Sequence, residues 1–209
     1  MKIKKVIELC KKTKHIVIFN DDDNHIQWIS DGSAIYPLFN VPTLTEDYIC
    51  KLYDISDSQR DKISFKIESN LPKDICFEDS DIAETDTQMF DISIILDSGV
   101  LVPVMTEEGL MFIQNKYLMP FSDVPKDELR LFTRKDSRGQ TVFAVKIGLL
   151  LYAIVYPIDV VNDDFVKKIT RLYQASTTAL SNKKLDEVYC NSQIEFKEFE
   201  DVSQDTTRS

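Results

Sequence analysis

The chain has 209 residues, 35 acidic against 25 basic side chains and a net charge of −10, with a pI near 4.7. A hydrophobic fraction of 43% suffices for a core in one large domain or two small ones. The acidic balance repels nucleic acid unless basic residues are segregated on one face, and five glycines argue against a glycine-rich phosphate-binding fold. Cys10, Cys50, Cys76 and Cys190 are scattered without a C-x-x-C pair, as in a cytosolic protein with reduced thiols. The basic start lacks the apolar run of a signal peptide. The longest apolar run, 147–155, falls far short of the roughly 18 residues a membrane span needs. A soluble cytoplasmic protein with no membrane contact is expected.

In chain order, residues 2–13 read as an amphipathic helix. Ile3, Val6, Ile7 and Cys10 form its apolar stripe, and Lys2, Lys4, Lys5, Lys11 and Lys12 cover the other faces, with Lys14 just beyond and Glu8 the one acid. Such lysines form either a solvated face or a small phosphate-facing patch. A strand over His15–Phe19 leads to the polar turn 20–24. Strands His25–Ser30 and Ser33–Leu38 flank Asp31-Gly32, a hairpin signal. Asp21, Asp23 and His25 alternate as calcium ligands might, but Ile26 and Gly32 stand where an EF-hand needs glycine and glutamate, so no metal is expected.

Thr45 caps a helix over 46–54, with Tyr48, Ile49, Leu52 and Tyr53 as its buried stripe. A turn over Ser56–Asp61 leads to the alternating strand Ile63–Ile67. From Glu68 to Asp97 acids prevail, against the single base Lys73. Residues 78–88 there lack periodicity and read as an exposed acidic connector between subdomains.

Strands Phe90–Leu96 and Val100–Met105 pair across Asp97-Ser98-Gly99, followed by the strand Leu110–Ile113 and one or two helical turns over Asn115–Phe121. The last sheet runs through Leu129–Thr133, Thr141–Ile147 and Leu149–Val155. Val142, Ala144 and Lys146 alternate with Phe143, Val145 and Ile147, which predicts one wetter face. Asn162 caps a final helix whose inward stripe is Phe165, Ile169, Leu172, Tyr173, Ser176 and Leu180. Residues 183–209 read as a mostly disordered acidic tail, with a transient strand at Gln193–Phe199.

Phosphate-loop, dinucleotide-binding, nucleophile-elbow and zinc-protease motifs are absent from the sequence, and His15 and His25, the only histidines, fit structural roles. Cys50 lies among core residues of its helix. No carboxylate pair stands out for acid–base work, so neither catalysis nor a cofactor is expected. Trp28 alternates with Ile26 and Ser30, which predicts core packing over an exposed partner anchor.

Asn115-Lys116-Tyr117-Leu118, Glu128-Leu129-Arg130-Leu131 and Leu151-Tyr152-Ala153-Ile154-Val155-Tyr156-Pro157-Ile158 together resemble the last subdomain of DNA polymerase sliding clamps. There a "kYL" helix precedes a "vrl" strand and the chain ends in a "yvvmPmr" strand. The opening, a helix and then strands through Trp28-Ile29-Ser30-Asp31-Gly32, is similar in outline. Glu128–Phe132 is also similar to the peptide with which partners grip a bacterial clamp, although it reads as a core strand. The chain departs from clamps in its length, its added C-terminal helix and the missing arginine after Val155-Tyr156-Pro157-Ile158-Asp159.

The resemblance implies lysines turned toward DNA, here Lys4, Lys5, Lys11 and Lys12, and a homo-oligomer. The whole chain also looks like small phage and prophage proteins, some acidic members of which are anti-CRISPR inhibitors of the Cas9 nuclease. That likeness implies an alternative in which Asp74, Glu78, Asp79, Asp81, Glu84 and Asp86 occupy a nuclease's nucleic-acid groove.

The expected fold is α+β: two antiparallel β-rich subdomains, 1–77 and 89–161, joined by the connector 78–88, then a helix over 162–182 and the tail. The expected function is a non-enzymatic, clamp-like binding module of a phage or mobile element. It acts on a protein partner that handles nucleic acid, with weak DNA contact through the first helix. A hydrolase or nuclease without a recognisable motif is the third reading.

Overall fold

The computed structural model describes residues 1–21, 24–96 and 99–204, with those from 185 onward as backbone alone. The chain divides into two units, 1–159 and 160–209.

The first unit opens with α1, Ile3–Thr13, whose Val6, Ile7, Leu9 and Cys10 are buried along one stripe as helical spacing dictates. It ends at Lys14, which adopts a left-handed φ of 58° and returns its N–H to the Cys10 carbonyl. Three antiparallel strands follow: β1 His15–Asp21, β2 Ile26–Ser30 and β3 Ala34–Leu38. At the β2–β3 turn Asp31 Oδ1 accepts the N–H groups of Ser33 (3.0 Å) and Ala34 (3.1 Å), and Gly32 supplies a φ of 92°. His25, expected inside the second strand, instead precedes it with a φ of 55°, a conformation suited to a turn. The strand expected over Ser33–Leu38 lies at Ala34–Leu38.

Thr45 caps α2, Glu46–Leu52, by accepting the Tyr48 N–H. Ile49 and Cys50 are buried there, while Tyr48 and Leu52, expected beside them, are exposed. A helix of under two turns has room for a single contact row. The short α3, Asp57–Arg60, then delivers the chain to β4, Ser64–Glu68, which runs parallel to β1. The sheet is therefore mixed rather than purely antiparallel, because the α2–α3 segment supplies the crossover that a parallel neighbour requires.

The remaining strands are β5 Thr85–Asp86, β6 Gln88–Met89, β7 Ile94–Leu96, β8 Gly99–Thr106, β9 Gly109–Gln114, β10 Leu129–Lys135, β11 Thr141–Ile147 and β12 Leu150–Val155. Two 3-10 turns, Asn115–Tyr117 and Met119–Phe121, fill the expected helical stretch. The fold is α+β, with twelve strands in two sheets among the described residues. One sheet has the order β4-β1-β2-β3-β12-β11-β10-β5. In the other, β8 carries β9 on one edge and the short β6 and β7 on the opposite edge.

β3 meets β12 in antiparallel register, Ile35 opposite Ile154 and Ala34 opposite Val155. Strands from both sides of 78–88 thus share one sheet, and β5, inside that segment, closes its far edge on β10. The expected connector does not separate two subdomains, since residues 1–159 form one unit.

The eight-stranded sheet is covered on both faces. Phe143, Val145, Ala153 and Val155 join Ile7, Val102 and Phe121 in the larger core, under α1 and the second sheet. Val142, Ala144, Leu151 and Ile154 join Trp28 and Ile75 on the other side, with Leu71 and Phe77 against them. The face expected to be wetter is dry because residues 71–77 lie across it. Trp28 is buried and meets the Phe77 ring edge-on at 5.1 Å, which answers for its core role.

The second unit holds α4, Asp163–Gln204, begun as expected by Asn162, whose Oδ1 accepts the Phe165 N–H at 2.9 Å. Ile169, Leu172, Tyr173 and Leu180, expected to face inward, are exposed. A lone helix has no second surface within its own unit to bury them. Its backbone takes in most of the stretch read as a tail, and residues 205–209 lie outside the described ones. No described helix is long and apolar enough to cross a membrane.

The docking of α1 gives a direct test. Ile7 is fully buried, so Ile7→Ala should lower unfolding free energy by about 2–5 kcal/mol in urea titrations followed by Trp28 fluorescence. Lys4→Ala, on the exposed face, should stay within about 0.5 kcal/mol of the parent.

Candidate interaction surfaces

The lysines of α1 divide into two sets. Lys5 Nζ donates to Ser122 Oγ at 3.0 Å, Lys11 Nζ to the Tyr53 carbonyl at 3.3 Å, and Lys2 Nζ pairs with Asp123 at 2.6 Å. Lys5 and Lys11 are half-buried and tie the helix to its neighbours, so two of the four DNA-facing candidates are already committed. Lys4, Lys12 and Lys14 are exposed, and no ion pair holds them among the described residues. Lys11 and Lys12 also sit in the last turn, where a helix's carbonyl end favours cations. Glu8 shares the exposed side of the helix.

The acidic candidates are largely consumed within the fold. Arg134, 1% exposed, anchors the segment through one of these carboxylates and several backbone carbonyls. Its Nη1 donates to the carbonyls of Cys76 (2.9 Å) and Glu78 (2.8 Å), and its Nη2 to Glu84 Oε2 (2.8 Å). Lys146, 5% exposed, reaches the other Glu84 oxygen. Asp79 Oδ1 accepts the Leu151 N–H at 2.8 Å, and Asp81 Oδ1 accepts the Ala83 N–H at 2.9 Å. Asp86 pairs with Arg130 at 2.6 Å, and Asp74 stands 3.6 Å from Arg138. Of the six, Glu78 alone binds through its backbone rather than its carboxylate. The segment is a strap across the sheet rather than a solvated linker.

Burial pushes the Glu84 carboxyl up, but hydrogen bonds from Lys146 and Arg134 outweigh it and hold its pKa below the usual glutamate value. A carboxylate lowered in the folded state stabilises at neutral pH, and that share is lost as pH falls through the folded value.

Among the described residues the histidines and cysteines do not gather. His15 opens β1 and His25 stands in the following turn. Cys10 and Cys50 are buried in α1 and α2, and Cys76 is half-buried. Burial, with Asp31 nearby, pushes the Cys10 thiol well up, and burial likewise raises the Tyr117 phenol to about 12. Tyr36 Oη donates to the Tyr117 carbonyl at 3.0 Å. These groups pin the β2–β3 turn against the 3-10 turns. Among the described residues no three or more His, Cys, Asp or Glu side chains are placed to hold a metal ion.

Sequence reasoning passed over Arg134 and Lys146. The available signal was an unmatched count: an acid-rich segment with one base of its own, and cations set into strands otherwise apolar. No family model, curated protein or solved structure matches the chain.

Glu84→Gln should cost about 3–5 kcal/mol at pH 7, because it leaves two buried cations without a counter-charge. Asp86→Asn, which breaks an exposed pair, should cost about 0–1 kcal/mol. The gap between parent and Glu84→Gln should shrink on acidification below about pH 4.3, read by denaturant titration across pH. Cys10 should resist iodoacetamide at pH 8, by peptide mass spectrometry, until denaturant unfolds the chain.

Proposed function

We propose that the chain is a non-enzymatic binding module that joins a nucleic-acid-handling protein on its nucleic acid, with α1 turned toward the phosphates. The observation that carries this reading is the sorting of charge. Lys4, Lys12 and Lys14 stand exposed on and just past one helix without ion-pair partners among the described residues. Three carboxylates of the mid-chain acidic segment, Asp74, Glu84 and Asp86, are drawn into ion pairs by Arg130, Arg134, Arg138 and Lys146.

Lys4 and Lys12 lie eight residues apart, about 12 Å along the axis. A helix presenting cations over that length can follow several phosphates of a duplex, which carries one charge per about 1.7 Å of axis. Contacts of this kind do not depend on sequence and weaken with salt, which suits a module whose specificity comes from a protein partner. The likeness to sliding clamps in Asn115–Leu118 and Leu151–Ile158 supports the same reading.

The acidic alternative, a surface that fills a nuclease's groove, needs free carboxylates. The bonds to Asp74, Asp79, Asp81, Glu84 and Asp86 weigh against it.

Retention on immobilised duplex DNA tests the proposal. The parent should be retained at about 50 mM salt and released by about 200 mM. The double variant Lys4→Glu/Lys12→Glu should elute without retention while unfolding at the parent's denaturant midpoint, and Asp86→Asn should not alter elution. No retention of the parent at low salt, or equal retention of the lysine variant, would overturn it.

A further inference from the structure

Residues 71–84 cross the eight-stranded sheet without a helix or strand of their own. Leu71, Ile75 and Phe77 are the side chains by which this strap enters the smaller core, against Trp28, Val142, Ala144 and Ile154 of the sheet. Ordering the backbone of so long an irregular stretch costs more than its own three apolar side chains recover by burial. The polar anchors of the strap therefore decide whether it stays down.

Those anchors are carboxylates set against cations and N–H groups of the sheet. Glu84 stands between Arg134 of β10, 2.8 Å away, and Lys146 of β11, both buried. It meets no third cation among the described residues. Asp79 accepts the Leu151 N–H of β12 at 2.8 Å. Asp74 lies 3.6 Å from Arg138 in the β10–β11 turn, and Arg138 also pairs there with the buried Asp136. Asp81 turns back on the strap's own Ala83 N–H, and Asp86 of β5 pairs with Arg130 of β10. Protonating Glu84 leaves Arg134 and Lys146 as buried charges without a counter-charge, which costs far more than hydrating them. Lifting the strap returns both to water.

The other face of the sheet lacks this dependence. α1 is held over the larger core by apolar contact, by Lys5 on Ser122 Oγ and by Lys11 on the Tyr53 carbonyl, none of which needs a carboxylate. Its pair with Asp123 through Lys2 is exposed on both sides and contributes little. Asp31 accepts the Ser33 and Ala34 N–H groups and neutralises no cation among the described residues.

We propose that the strap is an acid-sensitive cover: on acidification residues 71–84 lift from the sheet while α1 and the larger core stay folded, which presents an apolar sheet face hidden at neutral pH. Glu84 is held below its ordinary value in the folded state. Its hold is thus complete above about pH 4.3 and is lost as pH falls through the lower, folded value. The exposed lysines of α1 take no part in the opening, so this reading and the DNA reading fail separately.

Trp28, the single tryptophan, is buried against the Phe77 ring and reports the cover. Acrylamide quenching of Trp28 and amide exchange of α1, read by mass spectrometry and corrected for intrinsic rate, are followed on the full chain from pH 7 to pH 2. Quenching of Trp28 should rise at least about threefold at a pH where α1 still exchanges slowly, as separate cooperative units do. An apolar dye should bind in the same interval. Glu84→Gln should show the quenched Trp28 already above about pH 5, and Asp86→Asn, whose pair is exposed, should follow the parent. If Glu84→Gln does not fold, the two probes on the parent still decide. Trp28 and α1 giving way at one pH, Trp28 shielded throughout the range, or a folded Glu84→Gln that titrates as the parent does would each overturn the proposal.

Discussion

A single buried guanidinium decides how the first unit is put together. Arg134 leaves β10 on the side of the sheet that faces the strap, and its donors are met by backbone carbonyls of that strap and by Glu84. A buried cation without such partners is very costly, so β10 can sit where it does only if residues 76–84 come with it. Once held, the strap lays Ile75 and Phe77 over Val142, Ala144 and Trp28, and an apolar contact of ordinary strength follows from an ionic one. Lys146 shares Glu84 and also lies 4.8 Å from the Phe132 ring centre, which fixes β11 to the same point. Acids that in composition look like a solubilising run therefore act as the counter-charge of a core.

The same arrangement explains why the molecule's surface field differs from its formal charge. Much of the mid-chain acid is paired inward or with cations from β10 and the turn after it, whereas the lysines near the start of α1 meet few acids. Charge that is balanced at contact distance contributes little at longer range. What a partner meets is the remainder, and along α1, where six lysines from Lys2 to Lys14 stand against Glu8, that remainder is positive. A chain with a pI near 4.7 can therefore present a local face of opposite sign.

Local features of the fold were legible in the sequence. The stripe of α1, the Thr45 and Asn162 caps and the Asp31-Gly32 hairpin each depend on residues within one or two turns of each other, where spacing and capping chemistry act directly. Pairings that join distant segments were not. Nothing in β3 announces β12 as its neighbour, and β4 resembles any alternating strand whether it runs parallel or antiparallel. The wetter face assigned to β11 failed because Lys146 was read by hydropathy, while its charge was satisfied by a residue 62 positions away. Lys5 and Lys11 were grouped with Lys4 and Lys12 for a related reason: helical spacing shows which residues share a face, not which of them a neighbouring loop will claim.

The junction of β3 with β12 constrains how the chain can assemble. Only Ile35 with Ile154 and Ala34 with Val155 are in register there, yet this seam is what makes one sheet of strands from both ends of the unit. During synthesis the β1–β4 block, complete at Glu68, would wait with an open edge at β3 until β12 had emerged, ending at Val155. Closing so wide a loop is slow and comes late. In that interval Ala34 to Leu38, entirely apolar and without its partner, is the part of the nascent protein most in need of shelter.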